Sequence, residues 1–138
     1  MNDFYVGQEL PSKTFVVNRA RLIHYSDASG DQNPIHQDEA FAKSVGLENV
    51  IAHGMFTMGL AGQYVSHIAG DNSLVRELSA RFVKPLVVPA DVNVDLVVMA
   101  TVTDIDSESV RLEISARSGD LKVLGMAKAV LAKPGSQS

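Results

Sequence analysis

The sequence predicts an α+β fold, in which an antiparallel sheet covers one central helix. Residues 55–68 are apolar on nearly every side, which is typical of a helix surrounded by protein. The segments that follow are instead rich in β-branched and aliphatic residues, and 110–114 alternate apolar with charged side chains, as half-buried strands do. With 138 residues, 46% of them hydrophobic, the chain has enough apolar material for one domain with a substantial core.

The elements before the central helix are predicted from caps and composition. Residues 13–17 read as a strand, and residues 19–29 and 38–45 read as short helices. Asn18 and Asp38 are the expected N-caps, because their side-chain oxygens can accept from the free N–H groups of a first helical turn. After the central helix, strands are predicted over 76–88, 92–102, 110–116 and 121–131, with a polar tail at 133–138.

Two glycines interrupt the central helix. Gly59 and Gly62 each cost about 1 kcal/mol relative to alanine in a helix interior. They are three residues apart and therefore lie on nearly one face. Their presence indicates that a ligand, or another part of the protein, approaches this face closely.

The loop between the two short helices presents two titratable side chains. Asn33-Pro34 excludes a helical conformation here, so Asp31 and His36 lie on a bend rather than on one helix face. A carboxylate and an imidazole within reach of one substrate suit a reaction that removes one proton and delivers another. The alternative is ordinary turn chemistry, in which these side chains only bond the local backbone.

Gly54 stands at the amino end of the central helix. Free backbone N–H groups and the positive end of the helix dipole meet there, which suits a negative oxygen that develops during a reaction. The alternative is that Gly54 only eases the entry of the chain into the helix.

Two motifs carry a family resemblance. Ser-Gly-Asp-x-Asn-Pro-Ile-His, beginning at Ser29, and Ala-His-Gly-Met, beginning at Ala52, resemble the MaoC-like family of R-specific enoyl-CoA hydratases and 3-hydroxyacyl-thioester dehydratases. The likeness covers essentially the whole chain. It is strongest to the catalytic subunit of the actinobacterial 3-hydroxyacyl-acyl-carrier-protein dehydratase. This resemblance implies a single hot-dog domain, with a curved sheet wrapped around the central helix, and a homodimer or a heterodimer with a related subunit.

The resemblance also implies the chemistry. Water would add reversibly to a trans-2-enoyl thioester to give the R-3-hydroxyacyl thioester, on acyl carrier protein or coenzyme A and without a cofactor. Asp31 and His36 would share the water, and the Gly54 N–H would stabilise the thioester oxygen. Asn33, Gly59 and Gly62 are further candidates for substrate contact. The family's homodimeric short-chain hydratases tend to carry a hydroxyl residue where this helix has Gly62.

Composition excludes several other functions. Without cysteine, the chain has no disulfide or thiolate metal site, which fits the cytoplasm, and its four histidines lack metal-binding spacing. No signal peptide or membrane span is expected. A net charge of −4 with scattered basic residues argues against nucleic acid. An anionic carrier would need a local basic patch, for which the candidates are Lys43, Arg76, Arg81 and Lys84.

Two rival functions follow from the same fold expectation. A hot-dog thioesterase would explain thioester binding but gives the loop with Asp31 and His36 no role. A non-catalytic partner subunit is the second rival, although such subunits tend to lack this pair. His53 is expected to be structural and to bond locally at the helix entrance.

Overall fold

A computed structural model of the chain describes residues 4–71 and 74–133. It begins with strand β1 (Lys13–Val17), which helices α1 (Arg19–Ser29) and α2 (Glu39–Ser44) follow. A short 3-10 helix, Pro34–His36, lies between α1 and α2. The remaining elements are helix α3 (Gly54–Ala69) and strands β2 (Val75–Phe82), β3 (Val94–Ile105), β4 (Ser109–Ser118) and β5 (Leu121–Ala132).

The five strands form one antiparallel sheet in the order β1-β3-β4-β5-β2. Its inner face is apolar: in β4, Val110 and Leu112 are buried while Arg111 and Glu113 are exposed. Helix α3 packs against β2, β3 and β5 on this inner face. The predicted α+β class is therefore confirmed, and burial of two apolar faces against each other is the physical reason for it.

Helix α3 is the core of the molecule, as its composition predicted. Tyr64 is almost fully buried, and its hydroxyl donates to the Pro11 carbonyl at 2.7 Å. A Cβ added at Gly62 would lie 3.2 Å from Leu78 Cδ2 in β2, whereas at Gly59 it would meet open space. The buried residues of α3 are Phe56, Thr57, Leu60, Ala61, Tyr64, Val65, Ile68 and Ala69.

The strand predicted over 76–88 is wrong in its second half. Strand β2 ends at Phe82. Val83 N–H still donates to Val123 O of β5, but the rest of the following segment pairs with residues 50–52, through Ala52 N–H to Leu86 O and Val88 N–H to Val50 O. Pro85 explains the departure, because it has no N–H for the ladder and restricts the residue before it. This change of partner brings residues 83–88 over the amino end of α3.

The other predicted elements lie within three residues of the observed ones. Strand β1 and helix α1 have the predicted limits, and β3 runs over 94–105 rather than 92–102. Asn18 and Asp38 are the N-caps of α1 and α2, accepting from Arg21 N–H and Phe41 N–H. Apart from Lys133, the polar tail predicted over 133–138 lies outside the described residues.

Candidate active site

The loop between α1 and α2 begins where Gly30 ends the first helix. Gly30 adopts a left-handed conformation with φ of 82°, which glycine reaches without steric cost, and its N–H donates to Ser26 O. Asp31 Oδ1 then accepts from Asn33 N–H at 3.2 Å, and Asn33 Oδ1 accepts from Ile35 N–H at 3.1 Å. These two side-chain bonds stabilise the bend that carries Asp31 and His36.

The structure brings the two predicted acid–base residues together. His36 Nε2 lies 4.0 Å from Asp31 Oδ2, with 7% of the His36 side chain and 52% of the Asp31 side chain exposed. This distance is longer than a hydrogen bond, yet short enough for one substrate oxygen to contact both groups. The pair thus combines a buried imidazole with a solvent-accessible carboxylate.

The hydrogen bond of His36 Nδ1 determines which of its ring nitrogens carries the proton. Nδ1 lies 2.7 Å from the Ile51 carbonyl oxygen. Because a carbonyl only accepts, Nδ1 carries the proton in the neutral ring, and the lone pair is on Nε2, the nitrogen closer to Asp31. His36 is therefore oriented to receive a proton at the atom that faces the carboxylate.

His53 lies directly against His36. The two rings are stacked, with centroids 3.7 Å apart and an interplanar angle of 22°. His53 Nε2 lies 3.0 Å from Ser26 Oγ and 3.4 Å from Asp31 O, and the Tyr25 ring packs edge-on against His53. The expectation that His53 bonds locally at the helix entrance is wrong, because its partners lie in α1 and in the loop between α1 and α2. Burial and the neighbouring His36 lower the pKa of His53.

Gly54 lies at the edge of a pocket of about 280 Å³ at the start of α3. As the first residue of the helix, it has no intrahelical acceptor for its N–H. Thr57 lies one turn later, and its hydroxyl donates to Gly54 O at 2.7 Å, which orients the first peptides of the helix. The pocket is lined by His36, Ile51, Ala52, Gly54, Thr57, Phe82, Val83, Lys84, Pro85, Leu86 and Val123.

Arg19 forms hydrogen bonds to several of the segments that surround this site. Its Nε donates to Val88 O at 2.6 Å, and its Nη2 donates to Asn49 Oδ1 at 2.8 Å and Glu39 Oε1 at 3.2 Å. One guanidinium thereby connects α1 with α2, with residue 49 next to the paired segment 50–52, and with the end of the segment 83–88.

The remaining predicted contacts fall outside the pocket. Asn33 is exposed and uses its side-chain oxygen within the loop. Neither Gly59 nor Gly62 is among the residues that line the pocket. The position of Gly62 against Leu78 favours the alternative, in which the absence of a side chain lets another part of the protein, here β2, pack closely against the helix. Of the four basic candidates, Lys84 lines the pocket, while Lys43 pairs with Glu39 at 3.1 Å.

Asp31, His36 and His53 offer potential metal-ligand atoms within 4.8 Å of one another. Their orientation fits a shared ion poorly. Zinc spreads its ligands tetrahedrally at about 2 Å, whereas stacked rings direct their in-plane lone pairs along nearly parallel planes. His36 Nδ1 is also occupied by Ile51 O. The arrangement is better suited to proton transfer between oxygen and nitrogen atoms.

Sequence reasoning missed Ser26 and Thr57. Ser26 is fully buried on the same face of α1 as Leu22, four residues earlier. A buried hydroxyl on the apolar face of a helix needs a hydrogen-bond partner, so the position of Ser26 on this face was the signal that could have identified it. Thr57 follows Gly54 by three residues, a spacing that allows its hydroxyl to reach back to the Gly54 carbonyl.

The sequence comparisons agree with this geometry. A sequence model of the MaoC-like domain family matches residues 4–118. The chain is 36% identical over 80 residues to 3-hydroxyacyl-thioester dehydratase X of Mycobacterium tuberculosis, covering 58% of this chain and 28% of that protein. It is 32% identical over 124 residues to the (R)-specific enoyl-CoA hydratase of Aeromonas caviae, covering 88% of this chain and 91% of that protein.

The structural comparison agrees with the hot-dog arrangement. A solved MaoC-like dehydratase superposes with a TM-score of 0.91 and 34% identity, over 94% of this chain and 40% of that chain. The chain therefore spans well under half the length of this structure and of the tuberculosis dehydratase. Within residues 4–71 and 74–133, the helices are too short or too polar to cross a membrane.

Proposed function

Because the chain belongs to the MaoC-like domain family, we propose that it catalyses reversible water addition to the double bond of a trans-2-enoyl thioester. The product is the R-3-hydroxyacyl thioester, and the opposite direction is the dehydratase step of fatty-acid elongation. The observation that carries the proposal is the Asp31–His36 pair, which is positioned beside a pocket that Gly54 lines.

The reaction needs a proton acceptor for water. The thioester carbonyl withdraws electrons from the double bond, so the water oxygen attacks the β-carbon and a proton is delivered to the α-carbon. Asp31 Oδ2 and His36 Nε2 would hold this water between them, since both atoms accept hydrogen bonds. One proton leaves the water as the new C–O bond forms, and the pair returns a proton to the α-carbon. The hydration thus balances without any other reactant.

Negative charge develops on the thioester oxygen as water adds. The Gly54 N–H, at the positive end of α3, would donate to this oxygen. Loss of one such donor typically costs about 3 kcal/mol of barrier. The Thr57 bond to Gly54 O supports this role, because it restrains the helix end before substrate arrives.

The acyl carrier is anionic in either form of the substrate, as acyl carrier protein or as coenzyme A. Lys84 lines the pocket and is exposed, which supports the approach of an anionic carrier to this side of the site. A strong preference for coenzyme A over acyl carrier protein, measured with matched acyl groups, would move the role toward fatty-acid degradation or polymer-precursor supply.

A cytoplasmic setting is our expectation from the absence of cysteine.

We also propose that the chain pairs with a second hot-dog subunit, identical or related. Strand β2 is at one edge of the sheet, so its outer backbone groups have no strand partner within the described chain. Three apolar side chains near the pocket mouth are exposed, namely Met55 (60%), Phe82 (55%) and Val83 (46%). Their burial against another subunit would favour a dimer, which light scattering measures directly.

The test combines two assays on one reaction mixture. Hydration removes the absorbance of the enoyl thioester without releasing a free thiol, whereas a thioesterase releases thiol and a non-catalytic subunit does neither. Asp31→Asn and His36→Ala should each lower turnover by about 100-fold to 10,000-fold, and the double variant should lose little more.

Matched controls separate chemistry from folding. His24→Ala and Asp120→Asn change exposed residues of the same types away from the site and should keep wild-type turnover. If either loop variant retained more than about a tenth of the wild-type rate while chemistry limits turnover, the role assigned to that residue would be incorrect.

A further inference from the structure

The interior side of the acid–base pair is occupied by a second histidine whose role the proposed reaction leaves open. His53 is 2% exposed and contacts both partners of the pair, through its stacked ring at His36 and through Nε2 at the Asp31 carbonyl. It also immediately precedes Gly54 in the chain. One residue thus adjoins all three groups to which the reaction is assigned, His36 and Asp31 through its side chain and Gly54 through the backbone.

We infer that Ser26 and His53 are positioning residues: Ser26 holds the His53 ring, and His53, uncharged with its proton on Nε2, holds the His36 ring and the Asp31 backbone. This inference rests on the proposed function for its effect on turnover. Two parts of the inference do not depend on any reaction: which nitrogen of His53 carries the proton, and that His53 is uncharged.

The contacts determine which nitrogen of His53 carries the proton. Asp31 O can only accept, and it lies 3.4 Å from Nε2, while Ser26 Oγ at 3.0 Å can accept as well. His53 Nδ1 is buried and has no hydrogen-bond partner among the described residues. A bare lone pair is tolerated there better than an unbonded N–H, so the proton belongs on Nε2.

The surroundings of His53 favour its neutral form. The titratable groups that face it are Tyr25 from α1, Asp31 from the loop and His36 from the 3-10 helix. Burial and His36 lower its pKa. A neutral ring matters because a proton taken up by His36 would otherwise create two stacked cationic rings with centroids 3.7 Å apart.

Nitrogen-15 NMR of the imidazole rings tests the protonation state directly. Long-range proton–nitrogen correlations should show the Nε2–H form in the neutral ring of His53, with a pKa below the ordinary 6.5. A pKa of His53 at or above 6.5, or a neutral ring with its proton on Nδ1, would overturn the inference even if the enzyme hydrates enoyl thioesters as proposed.

Kinetics test the positioning role. Ser26→Ala should lower kcat about tenfold and His53→Leu about 100-fold, with KM within about twofold, as is typical when a group that orients a functional residue is lost. His53→Gln should recover at least part of the loss, because its amide N–H can reach the Nε2 position. Ser66→Ala and His67→Gln, on the helix that begins directly after His53, are the controls of the same residue types and should retain wild-type kcat.

The result that refutes positioning is equally specific. Folded fraction is measured for each variant from its melting curve. Wild-type kcat in both Ser26→Ala and His53→Leu would overturn the inference, as would losses that merely follow the folded fraction. If wild-type protein does not hydrate enoyl thioesters at all, the proposed function fails, while the NMR result still decides the state of His53.

Discussion

Substitution of Gly54 by alanine probes the point where α3 meets the pocket. A Cβ at this position would lie 3.1 Å from Phe82 Cε1 and Cζ and 3.2 Å from Cδ1. Carbon atoms pack best at about 3.5–4.0 Å, so the ring must move away by several tenths of an ångström. Overfilled sites cost about 1–3 kcal/mol, and in the single subunit the 55% exposure of Phe82 allows the ring to turn outward.

We therefore expect Gly54→Ala to lower the unfolding free energy by about 1 kcal/mol, the lower end of this range. The new methyl group would also crowd the oxygen that the Gly54 N–H is proposed to bind. A tenfold loss in kcat/KM corresponds to about 1.4 kcal/mol of transition-state stabilisation and is the expected size. Urea denaturation and the loss of enoyl-thioester absorbance measure the two effects separately.

A double-mutant cycle with Phe82→Ala identifies the cause. If the methyl group acts through the Phe82 ring, the cycle should give a coupling of about 1 kcal/mol in unfolding free energy. Additive stabilities would refute the crowding argument. Wild-type stability and kcat/KM in Gly54→Ala would refute both the crowding argument and the oxygen-binding role.

Three further predictions concern stability. Gly59→Ala should stabilise the protein by up to about 1 kcal/mol, because its Cβ meets open space, whereas Gly62→Leu should destabilise it by about 1–3 kcal/mol by crowding Leu78. If Gly62→Leu kept wild-type stability and lost only activity on long acyl substrates, Gly62 would instead contact the acyl chain of the substrate. Asp106 accepts from Glu108 N–H, Ser109 N–H and Ser109 Oγ–H, which lowers its pKa from the ordinary 3.8. These hydrogen bonds to the Asp106 carboxylate stabilise the folded state fully above pH 3.8, and this stabilisation is lost as the pH falls through the lower pKa of the folded state. Asp106→Asn should therefore remove this contribution to the loss of stability in acid. Equal pH dependence of unfolding in wild type and variant would contradict this.

Signals that act over a few residues were enough to predict most of the fold. The apolar character of α3 and the alternation in β4 reflect burial, which acts on each element through its own periodicity. Asn18 and Asp38 cap helices through bonds to residues three positions away. The loop that presents Asp31 and His36 is equally local, because the bonds that stabilise its bend span two residues each.

The same reasoning failed where a segment chooses a distant partner. Residues 83–88 have strand-like composition, yet most of their pairing is with residues 50–52 rather than with β5. Composition favours extended backbone but does not specify which other segment will pair with it. The predicted strand over 76–88 was therefore too long.

The sequence by itself determined an α+β chain with a central helix and a loop that carries a carboxylate and an imidazole. Only the tertiary structure decided that His53 stacks on His36, that Ser26 holds His53 from α1, and that Phe82 faces Gly54. These contacts join residues 17 to 28 positions apart, and their geometry depends on how α1, α3 and β2 pack together. Side-chain packing across separate elements is the physical step that periodicity and capping do not encode.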